Sequence, residues 1–437
     1  MSGSERSAAR DGAAASMWRF VERAYPLCRS LTGAGVRQTL ALLGERIPLE
    51  IHEVPSGTRV LDWTVPKEWN VSAAWIRGPG GETVADFAEH NLHLVSYSVP
   101  VRTTLELDEL RPHLHSLPER PDWIPYRTSY YQETWGFCLR HRRLESLEPG
   151  RYEVLIDSRL EDGALAYGEC FLPGSEPGAG EVLLSAHVCH PSLANDNLSG
   201  LAVCLALAET LQERPRRRHG YRFVFAPGTL GAIVWLARNP DARARITAGL
   251  VAANLGDAGP FHYKRSRRGD ATIDRAAAVV LRDRGGEYAI EDFAPFGYDE
   301  RQYGSPGVDL PVGALSRTPW GRYPEYHTSA DDLSLISAER LEESLGVYLA
   351  VMDVLEGDRT YLNLCPVGEP QLGRRGLYGS LGGATGGRDE ELALLWVLNQ
   401  SDGRHRLLDI AERSGVPFAR LRRAADRLLA VGLLSGR

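Results

Sequence analysis

Three residues that bind divalent metals fall within one short stretch of this chain, "SAHVCHPSLANDNLSG" at residues 185–200: His187, His190 and Asp196. Imidazole nitrogens and carboxylate oxygens are the donors that suit Zn²⁺. Two more donors stand where later apolar runs end: Asp257 closes "VAANLGD" and His327 lies in "YPEYHTSADD". Two histidines and two aspartates, delivered from separate strand ends or loops, make a four-donor set. An aspartate shared by two ions is chemically sound, because its oxygens can bridge metals about 3.5–4 Å apart. Residues three apart on a strand face opposite ways, so His190, in the loop, is expected to ligate. His187 is a further candidate ligand, with a supporting or core position as its other reading. A single His or Asp at a strand end is more often a cap or turn residue; it is four at corresponding ends of one sheet that point to a metal site. Cys189, between the two histidines, has no base paired to it by sequence and reads as a buried, inert thiol.

These donors need strands to carry them. "EVLLSAHV" is a continuous apolar run of the buried-strand kind. It is followed by the helical "LAVCLALAETLQERP", the strand "YRFVFAP", the helix "LGAIVWLARNP", the strands "AGLVAANLGD" and "PVGALSR", and the helix "SAERLEESLGVYLAVMDVLEG". This alternation predicts an α/β fold with a mostly parallel central sheet flanked by helices, which collects ligands beyond the carboxyl ends of its strands. The texture divides the chain further. Residues 1–16 read as a flexible tail, 17–50 and 174–372 as the α/β domain, and 51–173 as an inserted β-rich domain. That insert carries short runs such as "RVLDWTVP", "LHLVSYSVP" and "YEVLIDSRL". Residues 373–388 are a glycine-rich linker. Residues 389–437 hold three helical patterns with the turn Ser414-Gly415-Val416-Pro417, as in a winged helix.

The formal net charge of −7 over 437 residues leaves no electrostatic footprint for nucleic acid on the whole molecule. A local basic group, Arg420, Arg422 and Arg423, sits on the last helix beside several acids, so nucleic acid is not an expected partner. No apolar run approaches the roughly 20 residues of a membrane span, and the N-terminus lacks the apolar region of a signal peptide. Six scattered cysteines read as reduced thiols, which fits a cytoplasmic protein. A homo-oligomer is expected.

Three segments, "DWTVPKEWN", "HVCHPSLANDNLSG" and "DERQYGSPGVDLPVGALSRTPWGRYPEYHTSADD", carry a resemblance. The chain resembles the M28-like zinc aminopeptidases, and more closely the bacterial aminopeptidase-like proteins with an inserted β domain and a C-terminal winged helix, from about Trp18 to the end. That bacterial group is often linked to polysaccharide or secondary-metabolite clusters. The resemblance implies one or two zinc ions and hydrolysis of an amide bond in a small peptide or amino-acid conjugate. It matches Asp196 to the bridging aspartate, His190 and Asp257 to ligands of one ion, and His327 to a ligand of the other.

One departure stands out. In such enzymes one or two glutamates follow the strand equivalent to "YRFVFAP", as general base and metal ligand; here the text is "FAPGTLGAIVWL", with Gly228 in that place. Glu325 and Glu300 are the carboxylates expected to substitute. Arg301, Arg317, Arg322 and Tyr326 lie in the same segments and are candidates for holding a substrate carboxylate, against a loop-stapling role for each arginine. The other readings are an amide-forming or acyl-transfer enzyme, a catalytically inactive metal-binding homologue, and a winged-helix DNA-binding regulator.

Overall fold

The apolar runs fold as strands covered on both faces. In the computed structural model, which describes residues 3–377 and 385–436, eight strands form one sheet. They are β1 (Glu50–Pro55), β2 (Ala164–Leu172), β3 (Glu181–His187), β4 (Gly220–Ala226), β5 (Ile246–Ala252), β6 (Phe261–Lys264), β7 (Tyr288–Glu291) and β8 (Val312–Ser316). Their order is β1-β2-β4-β3-β5-β8-β6-β7. The central strands β4, β3, β5 and β8 run parallel. β1 and β2 add antiparallel at one side, and β6 is antiparallel to β8 but parallel to β7. Every residue of β3 and β4 is buried, which is why these strands read as unbroken apolar text. Helices Gly3–Ala24, Gly200–Glu213, Thr272–Arg284 and Ala338–Gly357 share one core, while Leu230–Arg238 packs its Trp235 into a second.

Three boundaries differ from the sequence expectation. Residues 3–16 of the expected tail belong to the helix Gly3–Ala24, in keeping with their alanine-rich composition; residues 1–2 lie outside the described ones. β1 and β2 lie within the expected insert of 51–173 but are strands of the main sheet, so the insert proper runs between them, over residues 56–163. It has its own four-stranded antiparallel sheet and a core around Trp69, Ile76, Phe137 and Tyr152. The winged helix starts well before residue 389, because strand Thr360–Asn363 pairs with Asp402–Arg406 and Leu434–Gly436. Of the expected linker at 373–388, residues 373–375 form a single 3₁₀ turn and 385–388 open the helix Thr385–Gln400. Residues 378–384 lie outside the described ones.

The winged helix shares the main core. Arg275 pairs with its Asp409 and Glu412, and Asp283 accepts the Phe418 N–H at 2.8 Å. Arg420 and Arg423 are engaged by Asp389 and Glu390. No helix among the described residues is long and apolar enough to cross a membrane, and all six cysteines are free.

The insert is tied to the main domain by a bidentate ion pair from Arg37, on helix Ala34–Gly44, to Glu68, with contacts of 2.6 and 2.7 Å. The Arg37 hydrogen bonds bring the Glu68 carboxyl from its usual 4.5 down to about 2. A folded-state value below the unfolded one contributes stability above pH 4.5 that is lost as pH falls through about 2. Glu68→Gln is expected to destabilise by about 1–2 kcal/mol at neutral pH. The gap in thermal midpoint from wild type should close as the pH is lowered across that window, which thermal melts in a pH series will read.

Candidate metal centre

β3 delivers His187 as its last residue. The chain then leaves the strand, so alternation no longer governs the next residues, and His190 turns back to the same point. The expectation that these two histidines face apart is corrected by their geometry: His187 Nε2 lies 3.1 Å from His190 Nδ1. Asp196 meets them from the loop before helix Gly200–Glu213, with Oδ1 at 2.8 Å from His187 Nε2 and Oδ2 at 3.6 Å from His190 Nδ1. Gly200 lets that loop fold tightly, because a Cβ there would sit 2.4 Å from both the Ala252 carbonyl and Asn197 Oδ1. His327 arrives from the far side, its Nε2 3.0 Å from Asp196 Oδ2. Its φ of +56° is one that a side-chain-bearing residue rarely adopts.

Several neighbours fix this cluster. Asp331 accepts the backbone N–H groups of Asn195 and Asp196 at 2.6 and 3.1 Å, and buried Arg29 donates Nε–H to the His190 carbonyl at 2.8 Å. The Tyr298 ring stacks on His187, with centroids 5.0 Å apart. Tyr126, from the insert, sets its ring edge-on to His190 and His327, at 5.4 and 5.1 Å. Its N–H donates to the His327 carbonyl at 2.8 Å, and Ser329 N–H likewise reaches the Ile124 carbonyl at 2.8 Å. The insert thus walls the site.

Burial by itself would push the Asp196 carboxyl up, but the imidazoles of His190 and His187 and the hydrogen bonds from His187 and His327 hold it well below the usual carboxylate range. Burial pushes His190 well below its ordinary value, which leaves the neutral ring that a metal requires. Asn197 Nδ2 faces His187 Nδ1 at 3.3 Å, so the His187 proton sits on Nε2, pointing at Asp196.

The donor set fits a divalent ion. Donors about 2.0–2.2 Å from a tetrahedral zinc lie about 3.3–3.6 Å from one another. The three contacts among His187, His190 and Asp196 are 2.8, 3.1 and 3.6 Å. These three offer ligand atoms all within 4.8 Å of one another. His327 engages Oδ2 of Asp196, the oxygen that also faces His190, while His187 engages Oδ1.

Asp257 is not among these three. Its oxygens accept from Thr318 Oγ1 at 2.6 Å, Gly259 N–H at 2.6 Å and Asn195 Nδ2 at 2.9 Å, so it braces the loop behind Asp196. Arg317 is a staple as well: it is buried, donates to Ser344 Oγ and the Gly259 carbonyl, and pairs with Glu343. Glu300 pairs with Lys264 at 2.8 Å. Arg322 pairs with Glu291 at 2.8 Å. Arg301 lies on the short helix Glu300–Tyr303, with its Nε buried and unpartnered among the described residues. Tyr326 stacks on His327 at 3.9 Å. Glu325 is half-buried, its carbonyl accepting from Thr328, and its carboxylate makes no hydrogen bond to the cluster.

The place beside Gly228 is filled by a residue that sequence reasoning passed over. A Cβ at Gly228 would lie 3.1 Å from His187 Cβ and 3.6 Å from Asp299 Oδ1. Asp299 is buried, and that oxygen has no hydrogen-bond partner among the described residues. Burial raises its carboxyl to about 7, against the opposing pull of His187. Its position in "YDERQY" beside Glu300 was visible, but nothing local said which of the two acids would face the histidines.

Comparison with known proteins bears on this arrangement. A family described as "Domain of unknown function (DUF4910)" matches residues 18–358, and one described as "winged helix-turn-helix" matches residues 359–436. A Clostridium acetobutylicum protein described as a putative polysaccharide biosynthesis protein with aminopeptidase-like domain is 51% identical over 418 residues, covering 96% of this chain and 95% of that one. The crystal structure of a putative peptidase from Clostridium acetobutylicum superposes with a TM-score of 0.93 at 48% identity, over 99% of this chain and 100% of that one. The zinc aminopeptidase of Bacillus subtilis shares the fold at a TM-score of 0.58 and 13% identity, over 79% of this chain and 94% of that one. The chain therefore belongs to the DUF4910 family, built on the fold of the M28-like zinc aminopeptidases and followed by a C-terminal winged helix.

Proposed function

We propose that this protein is a metal-dependent hydrolase, with zinc as its ion, that cleaves an amide bond in a small peptide or amino-acid conjugate. The observation that carries the reading is the convergence of three imidazoles, from His187, His190 and His327, on the fully buried carboxylate of Asp196. The aminopeptidase-like fold and the description of the clostridial relative support it, and that description adds polysaccharide biosynthesis as the setting.

His187, His190 and Asp196 would hold the ion, with His327 at Asp196 Oδ2, the oxygen that also faces His190. Such an ion supplies Lewis-acid polarisation of a carbonyl and makes nearby water a better nucleophile. The chain's own groups do the rest. Asp331 and Arg29 keep the ligand-bearing backbone in place through the contacts described above. Tyr126 and Tyr298 cover the histidines and limit the entry of bulk water, which strengthens every charge interaction within. Asp299, the carboxylate nearest the vacant Gly228 position, takes the proton of the attacking water and returns it to the amine as the C–N bond breaks. Glu300 is committed to Lys264, so Asp299 replaces it here as the expected substitute base.

Two outcomes are expected. Purified wild type should bind zinc, and Asp196→Asn should weaken binding by at least about 100-fold by calorimetric titration, because removing even a supporting partner of a ligand costs 10–100-fold. Affinity should fall as pH is lowered, because protons compete with the ion for its imidazole and carboxylate ligands. Failure of the wild type to bind any divalent ion would end the hydrolase reading. In amide-substrate assays Asp299→Asn is expected to lower kcat by about 10²–10⁴-fold, with zinc content unchanged. An unaffected rate in Asp299→Asn, together with a rise in Gly228→Glu, would remove Asp299 from the mechanism.

A further inference from the structure

A cavity of about 390 Å³ opens beside the metal centre, between β5, β6, β8 and the loops that follow β7 and β8. Tyr298 connects the two: its ring stacks on His187 and also lines the cavity. Small-molecule pockets run to about 300–1,000 Å³, so this one has room for a single ring and its substituents.

Its wall carries three carboxylates against two cations, and each is paired, the exposed Asp292 with Arg265 at 3.5 Å behind the wall. Lys264 is paired with Glu300 at 2.8 Å, and Arg322 with Glu291 at 2.8 Å. Glu300 is buried, and only one of its oxygens is used by Lys264. Its Oε2 is an acceptor with no hydrogen-bond partner among the described residues. His262 donates Nδ1–H to the Arg317 carbonyl at 2.8 Å, which leaves Nε2 as another acceptor. At the rim, Phe296 and Trp320 meet edge to face with centroids 4.5 Å apart, and Phe296 is 63% exposed.

Each simpler ligand class meets an obstacle here. An ammonium group drawn to Glu300 would meet Lys264 beside it, and a carboxylate drawn to Lys264 would meet Glu300. A purely apolar side chain would fill the space but cover the ion-pair heads without offering them partners, at a cost. A neutral ring with hydroxyls around its edge and C–H groups on its faces meets none of these. Its hydroxyls can donate to Glu300 Oε2 and His262 Nε2 and accept from Lys264 and Arg322, while a face lies on Trp320 and Phe296.

We propose that this cavity is a glycosyl subsite: the substrate carries one neutral sugar residue, seated between Glu300 and Trp320, with its amide directed past Tyr298 to the metal centre. Only the placement of the amide rests on the hydrolase reading; sugar binding itself does not. The subsite also accounts for a buried Lys264–Glu300 pair that the amide chemistry does not use.

The test uses N-acetyl-D-glucosamine as probe, with L-phenylalaninamide and L-lysinamide as the competing chemistries, in saturation-transfer NMR and calorimetric titration of the full chain. The sugar's ring protons are expected to receive saturation. Its Kd should rise at least about tenfold in Trp320→Ala and in Glu300→Gln, as loss of a buried hydrogen-bonding partner entails. Trp320 lies in a half-buried loop, so its variant serves if Glu300→Gln fails to fold. Binding should persist in chelator-treated protein and in Asp196→Asn, which separates this result from the fate of the metal reading. No sugar binding at concentrations on the order of 10 mM would overturn the proposal. So would an amino-acid amide that binds more tightly with the same sensitivity to both variants.

Discussion

The charge of Asp196 is the constraint around which the molecule is arranged. A carboxylate with no exposed surface costs several kcal/mol in desolvation unless it is paired and hydrogen-bonded. Here the pairing comes from three imidazoles on two separate chain segments, and the loop that carries it is clamped by Asp331 through two backbone N–H groups. Protonating Asp196 is strongly disfavoured by these partners. A buried carboxylate ringed by imidazole nitrogens is the kind of site that a divalent cation complements.

The rest of the fold can be understood as the means of holding that geometry. The parallel strands β3 and β5 end side by side, which brings the loop after β3, bearing Asn195, against the loop after β5, bearing Asp257. The insert completes the wall. Its Ile124–Tyr126 segment hydrogen-bonds the 327–329 loop, so the positive φ of His327 is maintained by contacts from a different domain. Among the described residues the winged helix contributes no group to the site, and its ion pairs to the main core include those of Asp409 and Glu412 with Arg275 on helix Thr272–Arg284.

Much of this was legible in the sequence because the relevant signals are local. Unbroken apolar runs marked the buried strands, and His190, Asp196 and His327 were singled out from segments that the structure brings together. The failures have physical causes as well. His187 was undervalued because strand alternation was carried three residues past the end of β3, to His190. Asp257 was placed at the right strand end, but its hydrogen bond from Thr318, sixty-one residues further on, could not be read from either segment. β1 and β2 were assigned to the insert because their partners are remote: β2 pairs with β4, and pairing across such a distance leaves no trace in either segment. Asp299 and Asp331 acquire their roles only by burial against distant residues, which one sequence does not show.

The central claim is that His187, His190 and Asp196 hold a divalent ion. Anomalous diffraction at the zinc absorption edge, from crystals grown with zinc, tests it most directly. The account requires a peak about 2.0–2.2 Å from His187 Nε2, His190 Nδ1 and an Asp196 oxygen. A peak at Asp257 instead, or a structure in which the three side chains contact one another with no ion among them despite saturating zinc, would contradict it.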